Sequence, residues 1–247
     1  MKKGMLFSLL LLVFAIIAFA ASTIAYFSDV KQTASVFTSG NVSIVLSESA
    51  ITRDEAGNVI VDTTRPRILG TSDGTLHNYG TVYPGQTILK DPIVTNSGLG
   101  SAWVAVKVSI TDGAGDICRI MGYNPDETDM IDIETMLSGG LLDEKVHVGV
   151  WNGIEDVCYN DRYAMVQLAS RAQDRYDFYF FMLDPLAKDE SFTVFDTMFI
   201  DNTWDNDAMK ELSDFKINVC AYAVQLYGFN SCFDAMTAAF SSEFNFN

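Results

Sequence analysis

The sequence predicts a mainly β protein that folds as one β-sandwich or barrel domain. Aromatic residues make up 12% of the 247 residues, and apolar positions recur with period two, which is typical of strands with one buried face. Turn signals such as Tyr83–Gln86 (YPGQ) and Asn96–Gly98 (NSG) separate these segments. The roughly 220 residues that follow an N-terminal apolar run suffice for one domain with a sizeable core.

The first 25 residues read as an export signal. Two lysines precede an apolar run from Met5 to Ala21, which is the order of a charged n-region and an h-region. This run is short for a membrane-spanning helix, which needs about 20 apolar residues. We therefore predict removal by signal peptidase, with a retained anchor as the alternative. Small residues favour two cleavage sites, one before Ala21 and one between Ala25 and Tyr26.

The charge balance narrows the range of partners. The formal charge is −16, and cleavage makes it −18, because residues 1–25 hold two lysines and no acid. Such a chain repels phosphate backbones and anionic lipid surfaces. We therefore expect no nucleic-acid partner, and membrane contact only before cleavage.

Several segments are predicted strands. Two of them alternate apolar with smaller or polar residues and are predicted to be half-buried, with these apolar positions facing the core: Val42, Ile44 and Leu46 in one, and Val104, Val106, Val108 and Ile110 in the other. Residues Lys216–Leu226 are apolar on both faces, which favours a central strand that places Ile217 and Val219 in the core. Residues Asp177–Ile200 read as a hairpin. Residues Arg53–Gly80 and Thr111–Glu127 read as long connections.

Two short helices are expected. Met130, Ile133, Met136 and Leu137 fall on one helical face before two glycines. Near the C-terminus, Ser231 can cap a helix that carries an apolar stripe, which we assign to core packing: Phe233, Met236, Ala239 and Phe240.

No catalytic site, metal site or cofactor is predicted. The two histidines, His77 and His147, belong to no H-E-x-x-H pair, and no G-x-S-x-G motif is present. The acidic stretches Asp201–Asp207 and Asp112–Asp116 lack EF-hand spacing. We assign them to solvated loops, with calcium binding as the weaker alternative.

The four cysteines leave two alternatives open. Export permits disulfides, and Cys220 and Cys232 lie close enough in sequence to form a bridge. Alternatively, they are a pair of buried thiols.

The order of several motifs resembles the TasA and camelysin family of exported bacterial proteins with the SipW-dependent type of signal peptide. The motifs are the h-region, AYFSD with Phe27 and Asp29, VFTSGNVSIVL with Phe37, VYPGQTILKDPIVTNSG before AWVAVKV, FDTMFI, and KINVCAYAVQLYGF. The resemblance implies a jelly-roll-like antiparallel β-sandwich over residues 26–247, with an N-terminal extension over residues 26–38. It also implies a structural subunit of extracellular biofilm fibres or a cell-surface protein. The shared motif favours cleavage between Ala25 and Tyr26.

Two other functions are alternatives to the fibre subunit. Camelysin-like members have been classed as metalloproteases, so a surface protease or another surface enzyme is the alternative. A glycan-binding adhesin that uses Trp103, Trp151 and Trp204 is weaker, because core or strand-edge positions explain those tryptophans better. Our expectation is a secreted protein that is not an enzyme.

The mature N-terminus suggests how subunits associate. An open sheet edge accepts a strand from another molecule. Residues Tyr26–Val36 begin apolar and continue polar, so they can pair through the backbone while Tyr26 and Phe27 anchor the strand. We predict a donated strand that includes Tyr26, Phe27 and Asp29 and leads to Phe37, giving a head-to-tail homopolymer. The alternative is that the segment folds back on its own domain.

Overall fold

The computed structural model describes residues 28–32, 42–55, 57–70, 79, 82–111, 133, 136–170, 175–211 and 216–246. The strands among these residues, in chain order, are β1 (Ser28–Gln32), β2 (Ile44–Glu48), β3 (Ile51–Arg53), β4 (Val59–Val61), β5 (Ile68–Leu69), β6 (Thr87–Leu89), β7 (Ile93–Asn96), β8 (Ala102–Thr111), β9 (Leu137–Ser138), β10 (His147–Trp151), β11 (Ile154–Tyr159), β12 (Tyr163–Ser170), β13 (Arg175–Met182), β14 (Ser191–Thr193), β15 (Thr197–Phe199) and β16 (Lys216–Gln225). The helices are a 3-10 turn (Gly140–Asp143), α1 (Asn206–Glu211) and α2 (Cys232–Ala239).

The strands pair antiparallel and confirm the mainly β prediction. Within the described residues, the largest sheet has seven strands in the order β1-β16-β8-β13-β12-β11-β10. A four-stranded sheet has the order β14-β7-β2-β5, a three-stranded sheet has the order β6-β15-β9, and β3 pairs with β4. This is a sandwich-like arrangement of antiparallel sheets, and the jelly-roll connectivity stays a prediction.

The main core lies between the seven-stranded sheet and the smaller sheets. Val106 is opposite Phe180 on one side and Ala221 on the other, and all three are buried in one cluster with Ile44 and Leu46 of β2. The predicted inward positions of β2, β8 and β16 are confirmed: Val42, Ile44, Leu46, Val104, Val106, Val108, Ile110 and Val219 belong to this core, and Ile217 packs against it.

A second apolar cluster covers the outer face of the seven-stranded sheet. Helix α2 begins after Ser231, whose hydroxyl accepts a hydrogen bond from the Asp234 amide, as predicted. Met236 is buried in the cluster, and Phe233, Ala239 and Phe240 pack against it, which confirms the stripe. Aromatic contacts tie the C-terminal segment to the sheet, as in the Tyr222–Phe244 pair at 4.9 Å between ring centroids.

The prediction that only one face of β8 is buried is wrong, because the outer cluster covers the other face. Trp103, Ala105, Lys107 and Ser109, on the opposite face from the valines, are buried as well. Flanked by β16 and β13, β8 is a central strand with both faces covered. Strand β16 is also interior, between β1 and β8, as predicted for residues 216–226.

The predicted hairpin over residues 177–200 is wrong. Strand β13 pairs with β8 and β12 in the seven-stranded sheet, whereas β14 pairs with β7 in the four-stranded sheet. The turn signals between these strands therefore mark a crossing from one sheet to the other.

Two further predictions need correction. Leu137 lies in β9 and not in a helix, although Ile133, Met136 and Leu137 are all buried in the main core. Residues 130–132 of that predicted helix lie outside the described residues. The predicted connection over residues 53–80 contains β4 and β5, and a turn through Gly57, with φ of 87°, joins β3 to β4.

Candidate functional site at the edge of the seven-stranded sheet

The N-terminal strand β1 lies at one edge of the seven-stranded sheet. It pairs antiparallel with β16, and the register places Ser28 opposite Val224 and Gln32 opposite Cys220. Asp29, which was predicted to belong to a donated strand, is opposite Ala223. The other predicted residues of the processing and donation sites, Ala25, Tyr26, Phe27 and Phe37, lie outside the described residues.

Strand β16 contributes to both hydrophobic clusters at this edge. Ala221 and Ala223 are buried in the main core, whereas Cys220, Tyr222 and Val224 are buried in the outer cluster. Its backbone edge therefore lies where the two cores meet. A strand that pairs with this edge satisfies the N–H and C=O groups of β16. It also shields the apolar side chains that β16 places on both faces of the sheet.

The chain changes sheets soon after this strand. Strand β1 pairs in the seven-stranded sheet, while β2, the next strand among the described residues, pairs with β7 and β5 in the four-stranded sheet. In this single chain, β1 pairs with its own β16, as the fold-back alternative expects. A strand from a second copy can make the same backbone hydrogen bonds, because these bonds do not depend on which chain supplies the strand.

A buried polar cluster lies on the outer face, beyond the aromatic residues. Lys107 Nζ is 3.3 Å from Asp177 Oδ2 and is paired with Glu243 in the C-terminal segment. Ser109 donates a 2.6 Å hydrogen bond to Asp177 Oδ1, and Arg175 Nε is 2.9 Å from Oδ2. The cluster therefore joins β8, β13 and the chain end through ion pairs.

The charges in this cluster shift the pKa of two groups. Burial alone would lower the pKa of Lys107, but Glu243 and Asp177 outweigh it and raise that pKa. Burial raises the pKa of Tyr179 to about 12, with Lys107 opposing the shift. At neutral pH, Lys107 is therefore an ammonium ion and Tyr179 a neutral phenol, so neither is poised as a nucleophile or base.

A second polar cluster holds the smaller sheets together. Lys90 Nζ is 2.7 Å from Glu48 Oε1, and both side chains are buried. Arg67 Nη1 is 2.8 Å from Asp91 Oδ2, and Ser49 donates to the same carboxylate from its amide at 2.7 Å and its hydroxyl at 2.8 Å. These contacts connect β2 with the segments around β5 to β7.

The Asp91 carboxylate is expected to contribute to the unfolding free energy in an acid-sensitive way. Burial alone would raise the pKa of Asp91, but hydrogen bonds from Arg67 and Ser49 lower it below its ordinary value of 3.8. The stabilisation is therefore present above that value and is lost as pH falls through the lower folded pKa. We expect Asp91→Asn to flatten the decline of unfolding free energy between about pH 5 and pH 2, measured by urea denaturation.

The matched control for this prediction is Asp189→Asn, because Asp189 is exposed and 3.8 Å from its lysine partner. Its acid dependence should follow that of the wild type. An unchanged acid dependence in Asp91→Asn would contradict the role given to the Arg67–Asp91 contact.

Cys220 and Cys232 lie on β16 and α2, respectively. Cys220 and Cys232 are both thiols, and both are buried in the outer cluster. The Cys232 Sγ donates to the Val104 carbonyl at 3.1 Å, and burial raises the pKa of this thiol. In this described part of the chain, the structure has no bridge between these two sulfurs, and the choice between a bridge and two thiols in the exported protein stays a prediction.

The remaining candidate residues are the three tryptophans and the two acidic stretches. Trp103 is buried, and Trp151 and Trp204 are partly buried against the cores, which confirms core or strand-edge positions for the tryptophans. The carboxylates of Asp201 and Asp205 accept hydrogen bonds from amides two residues later in their own loop. The stretch 112–116 lies outside the described residues.

Three negative findings concern metal binding, membrane crossing and similarity to known proteins. The described part of the chain contains no cluster of three or more His, Cys, Asp or Glu side chains placed to hold a metal ion. Its helices are too short or too polar to cross a membrane. No protein-family model, curated protein or solved structure matches the chain.

Proposed function

We propose that this chain is an exported structural subunit of extracellular matrix or cell-surface fibres, and that it polymerises by donating its mature N-terminal segment as a strand. One observation carries the proposal. Strand β1, which begins at the third residue after the proposed Ala25–Tyr26 cleavage site, lies on the edge of β16, and β16 contributes to both hydrophobic clusters. The order of sequence motifs that resembles the TasA and camelysin family supports the same role.

Cleavage is the step that permits assembly in this proposal. While the h-region is attached, the segment after it is held at the membrane and cannot reach another subunit. Once residues 1–25 are removed, the segment from Tyr26 can leave its own β16 and pair with β16 of the next copy. Each subunit then gives one strand and receives one, so the association is head-to-tail and propagates as an open filament.

The proposed function implies particular partners and an extracellular location. The partners are signal peptidase, which acts once, and further copies of the same chain, which bind through backbone hydrogen bonds. The mature protein consists of residues 26–247 and acts outside the cell. Its negative charge keeps it soluble and away from anionic lipid.

Negative-stain micrographs of the secreted protein test the proposal. We expect filaments from protein that begins at Tyr26. Monodisperse particles under all conditions would contradict the proposal, and an accompanying caseinolytic activity sensitive to chelators would favour the surface protease.

The processing step makes a separate prediction. Signal peptidase requires small residues at positions −3 and −1, which Thr23 and Ala25 supply for cleavage before Tyr26. We expect Ala25→Phe to leave precursor in the membrane fraction, detected by immunoblotting, whereas Ala25→Ser should be processed normally. Normal secretion of Ala25→Phe would place the cut before Ala21 instead.

A further inference from the structure

The opposite edge of the seven-stranded sheet is formed by β10. This strand pairs with β11 on one side, and within the described residues no strand pairs with it on the other. Val148 and Val150 are 63% and 67% exposed. Two large apolar side chains in one short edge strand are unusual, because edge strands are normally protected by charged residues or proline.

The outer edge of β10 keeps a regular strand geometry. Gly149 is opposite Val157 and Trp151 is opposite Ile154, so the extra residue of this irregularity belongs to β11. Asp156 takes it up in a left-handed conformation, with φ of 56°. Strand β10 is therefore regular enough to accept another strand.

The sequence of β10, HVGVW, is nearly its own reverse. When two copies pair antiparallel about a two-fold axis at Gly149, Val148 of each copy lies opposite Val150 of the other. His147 then lies opposite Trp151 of the other copy. Directly opposite residues share a face of the sheet, so the four valines meet on one face and the two His–Trp pairs lie on the other.

Charge limits where two copies can meet, and β10 is a place where it does not oppose their contact. Two copies with a formal charge of −16 repel each other over most of their surfaces. Strand β10 contains no acid and no lysine or arginine. Glu144, close to its start, is neutralised by an ion pair with Arg162. The strand is therefore an uncharged, apolar stretch on which two acidic copies can approach.

We propose that β10 pairs with β10 of a second copy, in antiparallel register about Gly149. The contact continues the seven-stranded sheet across a two-fold axis and covers the exposed valines. It uses the edge opposite to the one that β1 occupies, so it does not depend on strand donation. In a filament, the same contact would join neighbouring filaments side by side.

The test uses single cysteine variants of the full mature chain in which Cys158 is replaced by Ser, because Cys158 is directly opposite Val148 in the same chain and would capture a cysteine placed there. In the proposed register, position 148 of one copy is opposite position 150 of the other, whereas position 148 is displaced from its own counterpart by two residues. We expect a disulfide-linked dimer when Val148→Cys and Val150→Cys are mixed and oxidised, and several-fold less of it from either variant alone. Non-reducing gels measure the yield.

A mixture of Leu99→Cys and Tyr227→Cys is the control, since both residues are exposed and outside β10. Equal cross-linking in this control, or no cross-linking of the mixed β10 variants, would overturn the proposal. As a second measurement, Val150→Lys should abolish the two-fold contact, because it places a charge opposite Val148. Unchanged sedimentation of Val150→Lys in a sample whose wild type is dimeric would also overturn it.

Discussion

Protein that begins at Ser39 should be folded but unable to form filaments, whereas protein that begins at Tyr26 forms them. The shortened chain lacks β1, so it has no strand to donate and leaves the edge of β16 open. Electron microscopy measures filaments, circular dichroism establishes that the shortened chain is folded, and light scattering should show no species larger than a dimer paired through β10.

The open edge of β16 in the shortened chain allows two further measurements. The shortened chain can accept a strand although it cannot give one, so it should end growing filaments and shorten them when mixed with the complete mature chain. A synthetic peptide of residues 26–36 should bind the shortened chain, and a peptide with the same composition in scrambled order should not. Filaments from the shortened chain alone would show that another segment joins the subunits.

Asp177→Ala should destabilise the fold by about 3 kcal/mol, because it removes a buried carboxylate from the ion-pair cluster, leaves Lys107 with Glu243 alone and deprives the Ser109 hydroxyl of its acceptor. Asp177 is buried, and Lys107, Arg175 and Ser109 all contact its carboxylate. Urea denaturation of the purified monomer measures the change in unfolding free energy.

Asp189→Asn is the control for this substitution, because asparagine tolerates the left-handed conformation of Asp189, with φ of 62°. Asp189 pairs with Lys188 at 3.8 Å with both side chains exposed, and surface pairs of this kind contribute little. Its unfolding free energy should be close to that of the wild type. Equal effects of Asp177→Ala and Asp189→Asn would mean that the buried cluster does not stabilise the sheet.

Local sequence patterns predicted β2, β8 and β16 and the side of each that faces the main core. Alternation assigned Ile44 and Val106 to the core, the apolar run of β16 assigned Val219, and all three are buried there. The same patterns underestimated the burial of β8. The groups that cover its outer face, such as Phe240 and Phe244, come from the end of the chain, and their spacing does not show which sheet they pack against.

Pairing between distant segments was harder to predict. The segment after β13 carries turn residues, which indicate a reversal but not whether the next strand joins the same sheet. Likewise, Lys107 and Glu243 are 136 residues apart. A lysine within a run of valines was the only local sign of a buried ion pair. The register of β1 on β16 also depends on contacts across the whole chain.

Strand donation is tested most directly by Gln32→Cys, which places a thiol opposite Cys220 in the β1–β16 register. Directly opposite residues lie close enough for a disulfide to form. Under filament-forming conditions followed by oxidation, non-reducing gels should show a ladder of covalent multimers, because position 32 of each subunit meets Cys220 of the next. The additional change Cys220→Ser should abolish the ladder. A disulfide-bonded monomer from Gln32→Cys filaments, without multimers, would show that β1 stays on its own chain and would contradict strand donation.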